Sequence, residues 1–237
     1  MQQVYKYCDN ILTQPKTRGG LFYDQNLSQW ASNRYAANAA CTLAIFASYL
    51  PENDSKRKSY IDFVKSQIDY MLGDNPMGVN YVVGAEENSP KAVHHRGASG
   101  TYDSTDKNAK RDLYTLYGAL AGDPGKDDSY KDTRDNYQIN EVALDYNAGF
   151  TVDLAALVHF GLGKEDAEET INFDRACPTK APIPDLNVIF EGDVMKVSSE
   201  SEMLSNAWCV SFKTDSNIEF VMDSYGLKLE KREKVIS

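Results

Sequence analysis

Apolar positions recur most regularly between Leu27 and Leu50, in "LSQWASNRYAANAACTLAIFASYL". Trp30, Ala37, Cys41, Ala44 and Ile45 fall at helical spacing, with Ser48 a further small residue on that face. The spacing predicts a helix, and its small side chains would let a second helix approach closely. Cys41 reads as a small core residue. Pro51 ends the segment, because proline cannot continue the helical ladder. A second helix is predicted over 56–72, with Tyr60, Ile61, Val64, Ile68, Met71 and Leu72 on one face and "GDNP" as its stop.

From residue 73 to about 140 the periodicity mostly disappears. Only "RDLYTLYGAL" reads as a short helical piece among glycine- and aspartate-rich loops. A long irregular stretch inside a compact domain is often functional. A third helix is predicted over about 148–162, with Val152, Ala155, Ala156, His159 and Phe160 at helical steps and Gly163 as C-cap. His159 on that stripe reads as a core histidine rather than a ligand. Beyond it, "KEDAEET" is an acidic patch and "CPTKAPIPD" a proline-rich linker. "LNVIFEGDVMKVSS", "AWCVSFKT" and "IEFVMDSYGLKLE" then look like strands.

Composition narrows the function classes. The 237 residues are 42% hydrophobic and 25% charged, a globular composition with room for one sizeable core. A formal net charge of −10 argues against a nucleic-acid partner or an anionic membrane, either of which calls for a basic face. No run approaches the roughly 18 apolar residues of a membrane span. Fifteen tyrosines suit sugar binding as well as core packing. "MQQVYKYCDN" has neither a basic nor an apolar leader region, so no signal peptide is expected. The four cysteines form no CxxC pair and leave the redox compartment open.

Candidate chemistry sits in two loops. "KAVHHRGAS" places His94 and His95 side by side before Arg96. A metal site is disfavoured, because adjacent side chains point apart and no Cys or third His stands at ligand spacing. The loop reads either as a surface turn or as a sugar- or carboxylate-recognition loop, with Arg96 donating forked hydrogen bonds. In "YKDTRDNYQINEVALDYNAGF", Asp132 and Glu141 flank Tyr137, and Tyr146 follows. Asp135 reads as a turn residue. Partial desolvation by phenol rings is one way to make a carboxylic acid a proton donor, which keeps Glu141 open as a general acid.

Together these residues resemble glycoside hydrolase family 9, best known for endoglucanases. Its second signature is met without departure by Tyr130, Asp132, Tyr137, Glu141, Ala143, Asn147 and Ala148. The first is met at Val93, His94 and Arg96 and departs at Asn80 and Glu86, so the backbone before the histidines is expected to differ. "LSQWASNRYAANAA" and "YMLGDNP" extend the resemblance over roughly residues 15 to 163. It implies a mainly α fold, a partial (α/α)6 barrel over 1–165; the prolines and strand-like segments after it read as a linker over 166–184 and a short, unassigned β-like tail over 185–237. It also implies inverting cleavage of β-1,4-glucan, secretion, and no cofactor or metal. Glu141 takes the place of the acid, with Asp132 and His94 at the other marked catalytic positions and Arg96 and Tyr146 as sugar contacts.

The family's base lies in an upstream Asp-Ala-Gly-Asp stretch that has no counterpart here. "LAGDP", ending at Pro124, is the nearest string and lacks the first Asp. The chain is therefore expected to be the C-terminal portion of a cellulase domain, inactive alone, whose partner is the missing N-terminal half of the barrel. The rival expectation is a non-catalytic glucan-binding protein that keeps the sugar-contacting loops.

Overall fold

The computed structural model describes residues 2–100 and 112–163, together with the backbone of two short strands. Six helices appear among them: α1 (Gln2–Thr13), α2 (Ser32–Tyr49), α3 (Arg57–Met71), α4 (Arg96–Ser99), α5 (Tyr137–Asn140) and α6 (Leu144–His159). The strands β1 (Leu186–Glu191) and β2 (Val194–Ser199) form an antiparallel hairpin, in register from Leu186 opposite Ser199 to Glu191 opposite Val194. That hairpin falls in the first of the three strand-like segments. The other two, and the 166–184 linker, lie outside the described residues.

Helix α2 is central. It packs against both α3 and α6, which also touch each other, and α1 rests on α2 and α3. Its buried arc is Ala36, Ala37, Ala40, Leu43, Ala44, Phe46 and Ala47. Ile45 and Ser48, expected on that face, are exposed, and Cys41 is only half-buried. An alanine-rich helix is apolar over most of its circumference, so periodicity defines its buried side only loosely. Gly149 of α6 explains the close approach: a Cβ there would lie 2.9 Å from the Ala37 carbonyl carbon and 2.9 Å from the Asn38 nitrogen. Backbone cannot yield as a flexible side chain does. Gly149→Ala is expected to destabilise the chain by about 1–3 kcal/mol, the usual range for overpacking. Urea unfolding followed by circular dichroism measures it, and an unchanged midpoint would mean that α2 and α6 are not held this close.

The third helix starts and faces differently from the expectation. It begins at Leu144, so Asp145, Tyr146 and Asn147 lie in its first turn. Tyr146, Gly149, Phe150, Asp153 and Leu157 are buried, whereas Val152, Ala155 and His159 are exposed. His159 is therefore not a core histidine. Gly161, not Gly163, takes the left-handed position after the helix, at φ 72°. Gly161 N–H bonds Val158 C=O and Leu162 N–H bonds Leu157 C=O, both at 2.9 Å, the pairing of a Schellman stop. "RDLYTLYGAL" is not helical where it is described. It passes into a bridge between Val82 and Leu120, so its backbone is satisfied across the loops rather than along the chain.

Trp30 stands outside α2. Ala31 adopts a left-handed conformation, φ 62°, which turns the chain before the helix starts at Ser32. The helix N-terminus carries no side-chain cap of its own; Asp123, from the distant loop, accepts the Ser32 N–H at 2.9 Å instead. Burial pushes the Asp123 carboxyl up to about 6, against the lowering effect of the Ser32 side chain and of the Ser32 and Ala31 N–H groups. The one aspartate in the string nearest the family's base motif is thus a buried helix cap.

Candidate active site

Two loops meet at the N-terminal end of α6. His94 and Glu141 form an isolated parallel bridge, and His94 N–H donates to Asn140 C=O at 2.8 Å. The Glu141 carboxyl, half-buried, accepts at Oε2 from Trp30 Nε1 at 3.0 Å and from the Tyr146 hydroxyl at 2.9 Å. Burial, followed by the bond to Glu141, raises the Tyr146 hydroxyl well above the ordinary phenol range, so it stays a donor. Tyr137 packs edge-on against both the Trp30 indole, 5.0 Å between centroids, and the His94 ring, at 5.9 Å. Trp30 and Tyr137 each keep more than two-fifths of their surface exposed, so aromatic faces remain available beside the carboxyl.

Hydrogen bonds from the second loop fix the His94 segment. Asp132 accepts from Lys91 N–H at 2.7 Å, from Ala92 N–H at 3.2 Å and from the Asn140 side-chain amide at 2.7 Å. Asn140 also donates to Ala92 C=O at 2.6 Å and accepts from the Tyr130 hydroxyl. His94 Nδ1 lies 2.7 Å from the Arg134 C=O; a carbonyl only accepts, so Nδ1 carries the hydrogen and the neutral ring keeps Nε2 as an acceptor. Arg134 is buried, forming an ion pair with Asp112 at 2.7 Å and donating to Val93 C=O at 3.2 Å. Burial pushes the Asp112 carboxyl upward, with Arg134 pulling the other way. His95 turns away from His94 and accepts the Ala98 N–H at 3.0 Å, capping the turn that carries Arg96. Arg96 itself is exposed, and its guanidinium has no hydrogen-bond partner among the described residues.

Residues 1–154 match the sequence profile of Glycosyl hydrolase family 9. The chain belongs to that family. It is 46% identical to Endoglucanase A of Bacillus pumilus over 149 residues, which is 62% of this chain and 22% of that protein. It is also 46% identical to Endoglucanase B of Cellulomonas fimi over 134 residues, 56% of this chain and 13% of that one. Among solved structures it resembles endoglucanase CelQ of Clostridium thermocellum complexed with cellotetraose, with a TM-score of 0.58 and 38% identity over 66% of this chain and 26% of that chain. Cellulase Cel9M of C. cellulolyticum gives a TM-score of 0.56 and 36% identity, over 64% of this chain and 34% of that chain. The chain thus spans about a fifth of the first curated relative and about a quarter to a third of these solved chains.

In this family 9 chain the second signature works as one frame. Tyr130 and Asp132 hold Asn140, Asn140 and Asp132 hold the 91–94 segment, and Asn147 ties down the 118–120 loop by bonds to Leu120 N–H and Gly118 C=O. The two departures from the first signature bond each other: the Asn80 amide donates to Glu86 Oε1 at 3.2 Å. The structure brings His94, Glu141 and Tyr146 together, with Arg96 following on the adjoining turn. Asp132 points into backbone amides instead of toward Glu141's bonded partners. Trp30, Asn140, Asp112 and Arg134 were missed as contributors to the site. Only Trp30 carried a signal, its place in the family-like "LSQWASNRYAANAA", and helical spacing assigned it to a buried face instead.

Proposed function

We propose that this chain carries the proton-donating side of an inverting β-1,4-glucanase site within part of an (α/α)6 barrel, and that it acts in a secreted enzyme. The observation that carries the reading is the Glu141 carboxyl held by two donors beside exposed aromatic rings and the bridged His94. Glu141 protonates the glycosidic oxygen. His94, through Nε2, and Arg96 take sugar hydroxyls, and Tyr146 orients the acid. Asp132 acts as a positioning residue for the His94 loop. A β-glucan substrate is supported by the CelQ structures, which hold cellotetraose, cellobiose and cellotriose.

Inversion requires a second carboxylate about 6.5–9.5 Å from the first, with a water between it and the sugar. The signature's flanking carboxylates are already committed: Asp132 accepts three hydrogen bonds, and Asp145 is paired with Arg34 at 2.9 Å. The base is therefore supplied by residues other than these. Residues 1–237, expressed alone and checked for helicity by circular dichroism, are expected to release no new reducing ends from carboxymethyl-cellulose. Turnover that Glu141→Gln abolishes would place a base within this chain and overturn the division of roles.

A further inference from the structure

The Glu141 carboxyl meets its neighbours through a single oxygen. Trp30 Nε1 and the Tyr146 hydroxyl both donate to Oε2, and among the described residues no hydrogen bond reaches Oε1. Two donors converging on one carboxyl oxygen are an asymmetric arrangement with a chemical consequence. A proton placed on Oε2 would face one of two hydrogens already directed at that atom, whereas a proton on Oε1 leaves both bonds intact.

We infer that Trp30 is a positioning residue for Glu141: with Tyr146 it reserves Oε2 as an acceptor, so that the transferable proton rides on Oε1. The inference rests on the reading of Glu141 as proton donor and adds to it which oxygen donates and which residue decides that. Trp30 is fixed for this task by two features. The left-handed Ala31 turns it off the α2 axis, and its ring edge is held against Tyr137.

The charged and titratable surroundings are few enough to control. Tyr146 stays a neutral donor. Behind it the Arg34 guanidinium lies 5.3 Å from the Tyr146 ring centroid and is paired with Asp145. On the other side stand His94, bonded to the Arg134 carbonyl, and Asp132, held by its three donors. A carboxylate accepts more strongly than a neutral acid. The Trp30 N–H should therefore report Glu141 ionisation directly.

The chain has two tryptophans, Trp30 and Trp208, so a nitrogen-15 spectrum contains two indole N–H signals, assigned with Trp208→Phe. Across the carboxyl titration range the Trp30 signal is expected to move downfield as pH rises. It should be static in Glu141→Gln. If Glu141→Gln fails to fold by circular dichroism, Glu141→Asp replaces it. The shortened carboxyl withdraws from the indole, and the displacement should shrink or vanish. A Trp30 signal that does not titrate, or that titrates equally without the Glu141 carboxyl, overturns the inference. A titrating signal combined with equal losses of Glu141→Gln activity on activated and unactivated glycosides overturns the acid reading and leaves the contact standing.

Discussion

Glu141→Gln is expected to lower cellulose hydrolysis by about 10²–10⁴-fold, the range that general acid catalysis contributes. The setting is a complete family 9 catalytic domain carrying residues 1–163 in place of its own matching segment. Glutamine is nearly the same size, and its carbonyl can still accept from Trp30 and Tyr146, so the frame around Oε2 survives the exchange. What disappears is the proton. A sugar alkoxide leaves poorly without protonation, whereas an aryl glycoside with an acidic leaving group departs largely unaided. The loss on such a substrate should be much smaller. Equal losses on both kinds of glycoside would remove Glu141 from the acid role.

Asp153→Asn should stabilise the chain at neutral pH, against the usual direction of a buried substitution. Asp153 lies on the buried face of α6, and neither carboxyl oxygen has a hydrogen-bond partner among the described residues. Burial alone pushes its carboxyl from the ordinary aspartate value of 3.8 up to about 9. The folded protein therefore keeps this proton while the unfolded chain releases it above pH 3.8. Between those two values the unfolded state binds fewer protons, so stability is full below pH 3.8 and declines as pH rises. At pH 7 the accumulated loss is of order 4 kcal/mol, at about 1.4 kcal/mol for each pH unit. Asparagine has the same shape, leaves the same polar group unpaired and never ionises. Its gain should be near 4 kcal/mol at pH 7 and close to zero at pH 3.5. Urea midpoints at the two pH values measure it. A gain independent of pH would mean that Asp153 is not kept neutral by the fold.

These two carboxylates show how far the sequence could be read. Glu141 was singled out because the resemblance to family 9 puts the acid at that position of the second signature, among flanking tyrosines and an Asn-Ala step into a helix. The same resemblance singled out His94, Arg96, Asp132 and Tyr146. It could not say that Asp132 faces the amides of Lys91 and Ala92 rather than the reacting bond, because spacing along the chain does not fix the direction of a loop side chain. Asn140, Asp112 and Arg134 were invisible for a related reason. Each acts on backbone about twenty to fifty residues away, through contacts that exist only once the two loops have met.

By itself, then, the sequence determined the family and the helical character of 32–49 and 57–71. Both depend on local pattern. The tertiary structure decided the orientation of α6, the escape of Trp30 from α2 and the helix cap at Asp123. Helix α6 is apolar on nearly every side, so its periodicity selects no face; Gly149 does so by admitting the α2 backbone, which leaves Asp153 buried and His159 exposed. Trp30 fits helical spacing as well as Ala37 does. What excludes it is the left-handed turn at Ala31, held in place because the α2 N-terminus finds its hydrogen-bond acceptor in Asp123, ninety-one residues further along the chain.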